Sequence, residues 1–186
     1  MDPDEEIVAR QIGRRPRGLL RVESRCAFGY PVAVSVAPVV PRRGREGKGE
    51  EPFPTLFWLT CPILVEQVSR LESGGLIGRL EEEVAGDPAL AARVRRDHAR
   101  YAEERFAALA PEARGKAERD GTARVLRDTG VGGVRDLASL KCLHAQYAFH
   151  RARGCAVGAI LDERFAPREC EAKEVRCDAF GIPRPQ

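Results

Sequence analysis

Residues 32–40 read VAVSVAPVV, and this stretch decides the class of fold. Over its first five positions valine alternates with smaller residues, which is the two-residue period of a β-strand. Residues 19–25 and 53–59 also have strand character, and the sequence AFGYP at 27–31 predicts the turn between the first two strands. We expect the three segments to pair as an antiparallel meander.

Helical patterns flank the predicted strands. A short helix is predicted at residues 4–11, where acidic residues suit the positive end of the helix dipole. We therefore predict an α+β fold, with a small antiparallel sheet of about three strands packed against several helices. The later helices are predicted from residues 60–62 to Gly74 and over residues 76–85, 87–109 and 137–151.

The length of 186 residues suits one domain with its own hydrophobic core. We expect this domain to span residues 1–160. Residues 41–51 are rich in Arg, Gly and Glu and lack periodicity, so they are predicted to form a mobile loop. Residues 161–186 are predicted to form a flexible C-terminal tail.

Composition and charge narrow the classes of function. The net charge is only +3, so binding to nucleic acid is not expected. No apolar run approaches the roughly 20 residues that span a bilayer, and the acidic start MDPDEE is unlike a secretory signal. We therefore expect a cytoplasmic protein with no membrane partner, in which the six cysteines stay reduced.

Two of the three histidines lie in nearly identical pentapeptides, HARYA at residues 98–102 and HAQYA at residues 144–148. In each, a tyrosine follows the histidine by three residues and shares its helix face, so we expect the hydroxyl to orient the imidazole. The spacing of apolar residues in the predicted helix 87–109 also places His98 on the buried stripe.

These histidines and three cysteines predict a zinc site. In an antiparallel meander the first and third strands run in the same direction, so Cys26 and Cys61, which follow them, emerge at one end of the sheet. Cys142, His98 and His144 on helices can complete a four-ligand set, and not all five need bind. No CxxC pair is present, and buried cysteines with hydrogen-bonded core histidines are the alternative interpretation.

Cys61 also has a possible catalytic role, because the helix that it precedes presents the positive end of its dipole to the thiol. A depressed pKa would make Cys61 a nucleophile, with His98 or His144 as the general base. Cys170 and Cys177 fit no strong metal-binding spacing, and we expect them to be exposed and without a role.

The segment GRRPRG at residues 13–18 is the candidate ligand-binding segment. Arg14, Arg15 and Arg17 can form bidentate contacts with a phosphate or a carboxylate, although the segment is not a P-loop. The alternative is a solvated basic turn that pairs with the acidic first helix.

Four motifs together carry a resemblance to a known family: residues 13–18, 25–31 (RCAFGYP), 52–62 (PFPTLFWLTCP) and 141–148 (KCLHAQYA). In combination they resemble the bacterial family of domain of unknown function 501, over most of residues 5–160. The resemblance implies a single cytoplasmic bacterial domain and no particular activity or substrate.

The resemblance also bears on individual residues. Family members often carry Asn-Pro-x-Gly after the last helix, whereas this chain reads CAVG at 155–158, so no role for that element carries over. Members tend to be encoded near cell-division and polyphosphate-type proteins, which implies a link to regulation. The residues at matching motif positions are Cys26, Cys61, His98, Cys142 and His144.

Three functions are therefore carried forward from the sequence. The first is a zinc-binding Cys/His site in a small α+β domain. The second is a metal-free regulatory or interaction module that binds a phosphate-bearing ligand or a protein through its N-terminal arginines. The third is a cysteine-dependent enzyme.

Overall fold

The computed structural model of the chain describes residues 2–41, 50–181 and 184. Within them the chain forms eight α-helices, a three-stranded sheet and a two-stranded sheet. In chain order the elements are α1 (Pro3–Gln11), β1 (Leu19–Arg25), β2 (Pro31–Val36), β3 (Val39–Pro41), β4 (Glu50–Pro52), β5 (Phe57–Leu59), α2 (Pro62–Ser73), α3 (Leu76–Gly86), α4 (Pro88–Ala107), α5 (Pro111–Arg119), α6 (Ala123–Asp128), α7 (Leu143–Arg153) and α8 (Ala156–Phe165).

The main sheet has the strand order β1-β2-β5, and both pairings are antiparallel. This confirms the α+β class and the three-stranded meander. The central strand β2 is buried at all six positions because it is covered on both sides. Val34 packs with Val8 of α1, while Val32 belongs to the main core that the other helices build.

The predicted strand over residues 32–40 is wrong as one element. β2 ends at Val36, and β3 leaves the main sheet to pair with β4. Pro38 lies at the break, where a proline without an N–H group cannot continue a ladder of hydrogen bonds. Pro54 lies in the part of the third predicted strand that is not a strand, and only Phe57–Leu59 pairs with β2.

Most of the loop predicted at residues 41–51 lies outside the described residues, so its mobility stays a prediction. Glu50 and Glu51, at its end, belong to β4. No helix in the described part of the chain combines the length and the apolar character that crossing a bilayer requires.

The predicted helix starts are mostly correct where a capping residue or a proline marks them. Asp87 caps α4, since its Oδ1 accepts hydrogen bonds from the amides of Ala89 (2.8 Å) and Leu90 (3.2 Å). Pro62 begins α2, and Gly74 follows its last residue, as predicted.

The last predicted helix begins later than expected. Residues 137–142 are not helical, and Asp136 instead caps a turn through its Oδ1, which accepts from the Ala138 amide at 2.9 Å. α7 therefore starts at Leu143, where the carboxylate of Glu72 accepts the Leu143 amide at 2.9 Å. The sequence did not predict α5, α6 or α8.

A buried arginine holds the middle of the chain together. The side chain of Arg105 on α4 is fully buried, and its guanidinium donates to the carbonyl oxygens of Pro54, Leu126 and Thr129. Burial lowers the pKa of this guanidinium. Two of these carbonyls lie at the C-terminal end of α6, whose partial negative charge stabilises the cation.

The segment after α8 packs back onto the start of the chain. Val175 and Cys177 are buried in a cluster with Ile7 and Tyr30, and the Tyr30 hydroxyl donates to Asp178 Oδ1 at 2.9 Å. The division at residue 160 between the domain and a flexible tail stays a prediction, because these contacts do not report on motion.

Replacing Arg105 by alanine is expected to lower the free energy of unfolding by roughly 3 kcal/mol, because several buried carbonyl oxygens lose their donor. Urea titration followed by circular dichroism measures the change. Arg95→Ala, at an exposed position on the same helix, is the control and should change stability by less than about 0.5 kcal/mol. Equal effects of the two substitutions would contradict a structural role for Arg105.

Candidate metal centre

Three side chains with metal-binding atoms meet where α2 and α7 come together. Ligand atoms of Glu72, Cys142 and His144 all lie within 4.8 Å of one another, and no other such group of three occurs among residues 2–41, 50–181 and 184. Glu72 is in the last turn of α2, Cys142 directly precedes α7, and His144 is in its first turn. All three are half-buried.

The spacing of these atoms suits a small cation. His144 Nδ1 lies 3.1 Å from Glu72 Oε2 and 3.9 Å from Cys142 Sγ. In tetrahedral zinc sites, bonds of about 2.0–2.3 Å place neighbouring ligand atoms roughly 3.3–3.7 Å apart. The two observed separations bracket this range, so small side-chain movements would complete a three-ligand set.

The other nitrogen of His144, Nε2, faces two oxygen atoms of α2. Nε2 is 2.9 Å from Ser69 Oγ and 3.2 Å from the Val65 carbonyl oxygen. Because the Ser69 hydroxyl donates to the same carbonyl at 2.8 Å, it accepts from Nε2–H. This network assigns a proton to Nε2, so Nδ1 is the nitrogen that faces Glu72 and Cys142 and that a metal ion would bind, as in many metal-bound histidines.

The charge around His144 favours its protonated form when no metal is bound. The hydrogen bond with Cys142 raises the pKa of His144, burial opposes this effect, and the charge of Glu72 adds to the rise. A metal ion must therefore displace a proton from Nδ1. Binding is expected to weaken as the pH falls.

A cleft of about 400 Å³ adjoins the cluster, and Cys142 and His144 form part of its wall. The remaining wall is largely apolar and includes Phe53, Trp58 and Ala145. The cluster is therefore accessible from a concave apolar site, which is the usual setting of a ligand-binding site.

The five residues predicted as zinc ligands do not converge in one site. Cys142 and His144 lie together, whereas Cys26 and Cys61 lie at the ends of β1 and β5. His98 is 1% exposed on α4, and its Nδ1 accepts the Val131 amide at 2.9 Å. Burial lowers the pKa of His98, so this histidine is a neutral, hydrogen-bonded core residue.

Glu72 is the member of the cluster that the sequence did not predict. It follows Leu64 and Val68 at four-residue intervals, so a carboxylate occupies the next position of the buried stripe of α2. A charged residue on an apolar stripe is the signal that could have identified it.

The expected pairing of each histidine with a tyrosine is wrong. The Tyr101 hydroxyl accepts the Leu56 amide at 2.6 Å, and the Tyr147 hydroxyl donates to Asp162 Oδ1 at 2.7 Å. The Tyr147 ring stacks on His150, with 6.0 Å between the ring centroids. Both tyrosines are buried and connect the helices to other elements, which explains the repeated pentapeptide by packing.

Cys61 lacks the activation that a nucleophile requires. It is 4% exposed, and burial raises the pKa of its thiol to about 12. Amides at the start of α2 lower this pKa, but desolvation is the larger effect. The expected depressed pKa is therefore wrong, and the imidazoles of His98 and His144 bond to other groups.

The arginine segment is a surface turn. Arg14 and Arg15 are exposed and Arg17 is half-buried around a buried Pro16. The Arg14 guanidinium lies over the Trp58 ring, 4.6 Å from its centroid. Phosphate binding by this segment stays a prediction.

A family model described as "Protein of unknown function (DUF501)" matches residues 22–163. This range includes the whole Glu72, Cys142 and His144 cluster. It does not include the arginine segment or the last two cysteines. No curated protein and no solved structure matches the chain.

In chelator-treated protein, His98 and His144 are expected to titrate on opposite sides of the ordinary histidine pKa of about 6.5. The raised pKa of His144 means that its contribution to stability is complete below about pH 6.5 and is lost as the pH rises through the folded value. The lowered pKa of His98 means that its contribution is present above about pH 6.5 and is lost on acidification. NMR of the imidazole protons, assigned with a His144→Asn variant, tests this, and a shared midpoint would contradict it.

Cys61 is expected to resist alkylation in the folded, chelator-treated protein, because it is buried and its pKa is raised. Iodoacetamide at neutral pH followed by peptide mass spectrometry measures the rate for each cysteine. Half-buried Cys142 is the internal comparison and should react faster. Faster reaction at Cys61 would restore it as a candidate nucleophile.

Proposed function

The chain belongs to the DUF501 family of proteins of unknown function, and we propose that it is a zinc-binding protein in which Glu72, Cys142 and His144 hold the ion. The observation that carries this proposal is the convergence of three ligand atoms within 4.8 Å of one another. They come from the last turn of α2 and from the start of α7, which are far apart in sequence and packed together.

The chemistry of the three groups favours zinc over harder cations. Zinc is borderline-soft and accepts thiolate, imidazole and carboxylate ligands, whereas Mg²⁺ and Ca²⁺ prefer oxygen atoms alone. The contacts of His144 Nε2 with Ser69 and Val65 also hold the ring in the orientation that presents Nδ1.

Three protein ligands leave a fourth coordination position for water or a ligand. Since Cys142 and His144 line the apolar cleft, we infer that this position faces it. The cleft then favours a ligand that combines an apolar body with a group that coordinates the ion. This arrangement resembles an open zinc site more than a closed structural one.

Glu72 has a structural role beside the proposed one. Its Oε2 atom accepts the amide of Leu143, so it caps α7 as well as contacting His144. A variant that removes the side chain would disturb the fold. Glu72→Gln keeps an acceptor oxygen and removes the charge that a cation needs.

A second proposal concerns the arginine segment, as a regulatory or interaction module for a phosphate-bearing ligand or a protein. Its support is the contact of Arg14 with Trp58, because Trp58 also lines the cleft beside the metal centre. Titration with polyphosphate should perturb tryptophan fluorescence in the wild type and not in an Arg14, Arg15 and Arg17 triple-alanine variant. No response in the wild type would end this proposal.

We also propose a bacterial cytoplasmic location. All six cysteines are free thiols, which suits a reducing compartment.

The zinc proposal is tested by the metal content of untagged protein, purified without chelator or added metal. The Glu72→Gln, Cys142→Ser and His144→Ala variants are expected to lose about one zinc per chain relative to the wild type, because each loses one of three ligands. Plasma mass spectrometry measures the metal, and circular dichroism confirms that each variant is folded.

Glu66→Gln is the matched control, since Glu66 lies on the same helix and contacts Arg70 and Arg176. It should keep the zinc content of the wild type. The proposal fails if folded wild type lacks the metal that these ligands should hold, or if the control loses as much as Glu72→Gln.

A further inference from the structure

Four of the six cysteines gather at one end of the main sheet, away from the metal centre. β1 and β5 are both antiparallel to β2, so they run in the same direction and bring Cys26 and Cys61 to the same end. The segment after α8 returns to this end and adds Cys170 and Cys177. We call these four residues the cysteine rim.

The rim is packed rather than exposed. Cys177 is 3% exposed, and Cys26 and Cys170 pack in the same apolar cluster with it. Cys26 also packs against the main core, to which Cys61 belongs. The exposed positions expected for Cys170 and Cys177 are therefore wrong, since Cys170 is half-buried and Cys177 is buried.

The four thiols are close enough to influence one another's charge. Beyond the effect of burial, which is the largest, ionised Cys177 and Cys170 raise the pKa of Cys61. Cys170 and Cys26 likewise raise that of Cys177, for which burial is again the largest cause. Cys61 and Cys177 therefore each lie within electrostatic range of Cys170.

Hydrogen-bond donors already point at the sulfur atoms. The Arg176 amide donates to Cys170 Sγ at 3.4 Å, and Gln11 Nε2 donates to Cys177 Sγ at 3.3 Å. The bond from Gln11 lowers the pKa of Cys177, against the larger effect of burial. Arg25 and Arg184 also lie within electrostatic range of Cys26, and each forms a salt bridge, with Asp4 and Asp178 respectively.

We propose that Cys26, Cys61, Cys170 and Cys177 bind a second zinc ion in a closed site of four thiolates. Binding releases four thiol protons as four Zn–S bonds form, and the complex carries a charge of −2. Neither oxidation nor reduction is involved. The proposal does not depend on the metal centre at Glu72, Cys142 and His144.

Closing the site requires a movement of the chain. Within the described residues, no three of these sulfur atoms all lie within 4.8 Å of one another, whereas a tetrahedral zinc thiolate site places them roughly 3.8 Å apart. Cys170 and Cys177 lie on either side of a turn at Glu171–Glu174, and Cys177 is in a short 3-10 helix, Arg176–Phe180. The ion would fasten this segment to the sheet.

The test is the zinc content of the full chain and of two sets of variants. Cys170→Ser and Cys177→Ser are each expected to lose about one zinc per chain relative to the wild type, and Cys155→Ser is the control. Cys155 is a buried thiol on a different part of the chain, beside Gln146. His144→Ala should leave the rim ion in place.

Cobalt substitution provides a second measurement, which identifies the type of ligand rather than the number of zinc ions per chain. Co²⁺ bound to four thiolates has intense absorption bands from sulfur-to-metal charge transfer. These intense bands should persist in His144→Ala, whereas in Cys177→Ser only the weaker absorption of the single thiolate at the metal centre, Cys142, should remain, with folding verified by circular dichroism. Persistence in folded Cys170→Ser and Cys177→Ser proteins would overturn the proposal.

The outcomes separate the two zinc sites. One zinc that is lost in His144→Ala and kept in Cys177→Ser overturns the rim proposal and supports the metal centre. One zinc with the opposite behaviour supports the rim and ends the zinc proposal for His144. A folded wild type without zinc, which takes up no Co²⁺, overturns both.

Discussion

The buried guanidinium of Arg105 is the interaction on which the arrangement of the site depends. It joins α4 to the chain before β5 through Pro54, and to the end of α6 through Leu126 and Thr129. The chain directly after these carbonyls supplies the Val131 amide to His98. Arg105 and His98 thus both anchor residues 126–131 to α4, and the chain continues from there to Cys142. The buried positive charge of Arg105 is stabilised by the dipoles of these backbone carbonyl groups instead of by a carboxylate.

The metal centre is a product of helix packing rather than of a local motif. Cys142 and His144 are two residues apart, but they have no metal-binding geometry until α2 brings Glu72 to the start of α7. The same carboxylate that caps this helix completes the ligand set. The packing of α2 against α7 and the proposed metal binding therefore both depend on Glu72. Its hydrogen bond to the Leu143 amide holds the carboxylate beside His144 when no ion is bound.

The sequence predicted those features whose causes are local. The alternating valines predicted β2, and Asp87 and Pro62 predicted the starts of two helices. The spacing of apolar residues in α4 correctly predicted that His98 is buried. Features with distant causes were not predicted. The burial of Arg105 depends on carbonyls more than 20 residues away in the sequence, and Glu72 meets His144 across 72 positions. The two histidine pentapeptides look alike because both tyrosines fill the core, a packing cause that imitates a functional motif.

The cluster that joins α1 to the segment around Cys177 has a consequence for the order of folding. Gln11 and Cys177 are separated by 166 positions, so the loss of chain entropy on bringing them together is among the largest in the molecule. Contacts of such high sequence separation form late unless others first bring the ends together. The core around α2, α4 and α7 can assemble beforehand. The thiols of Cys170 and Cys177 are then expected to stay open to solvent until this last segment packs against α1.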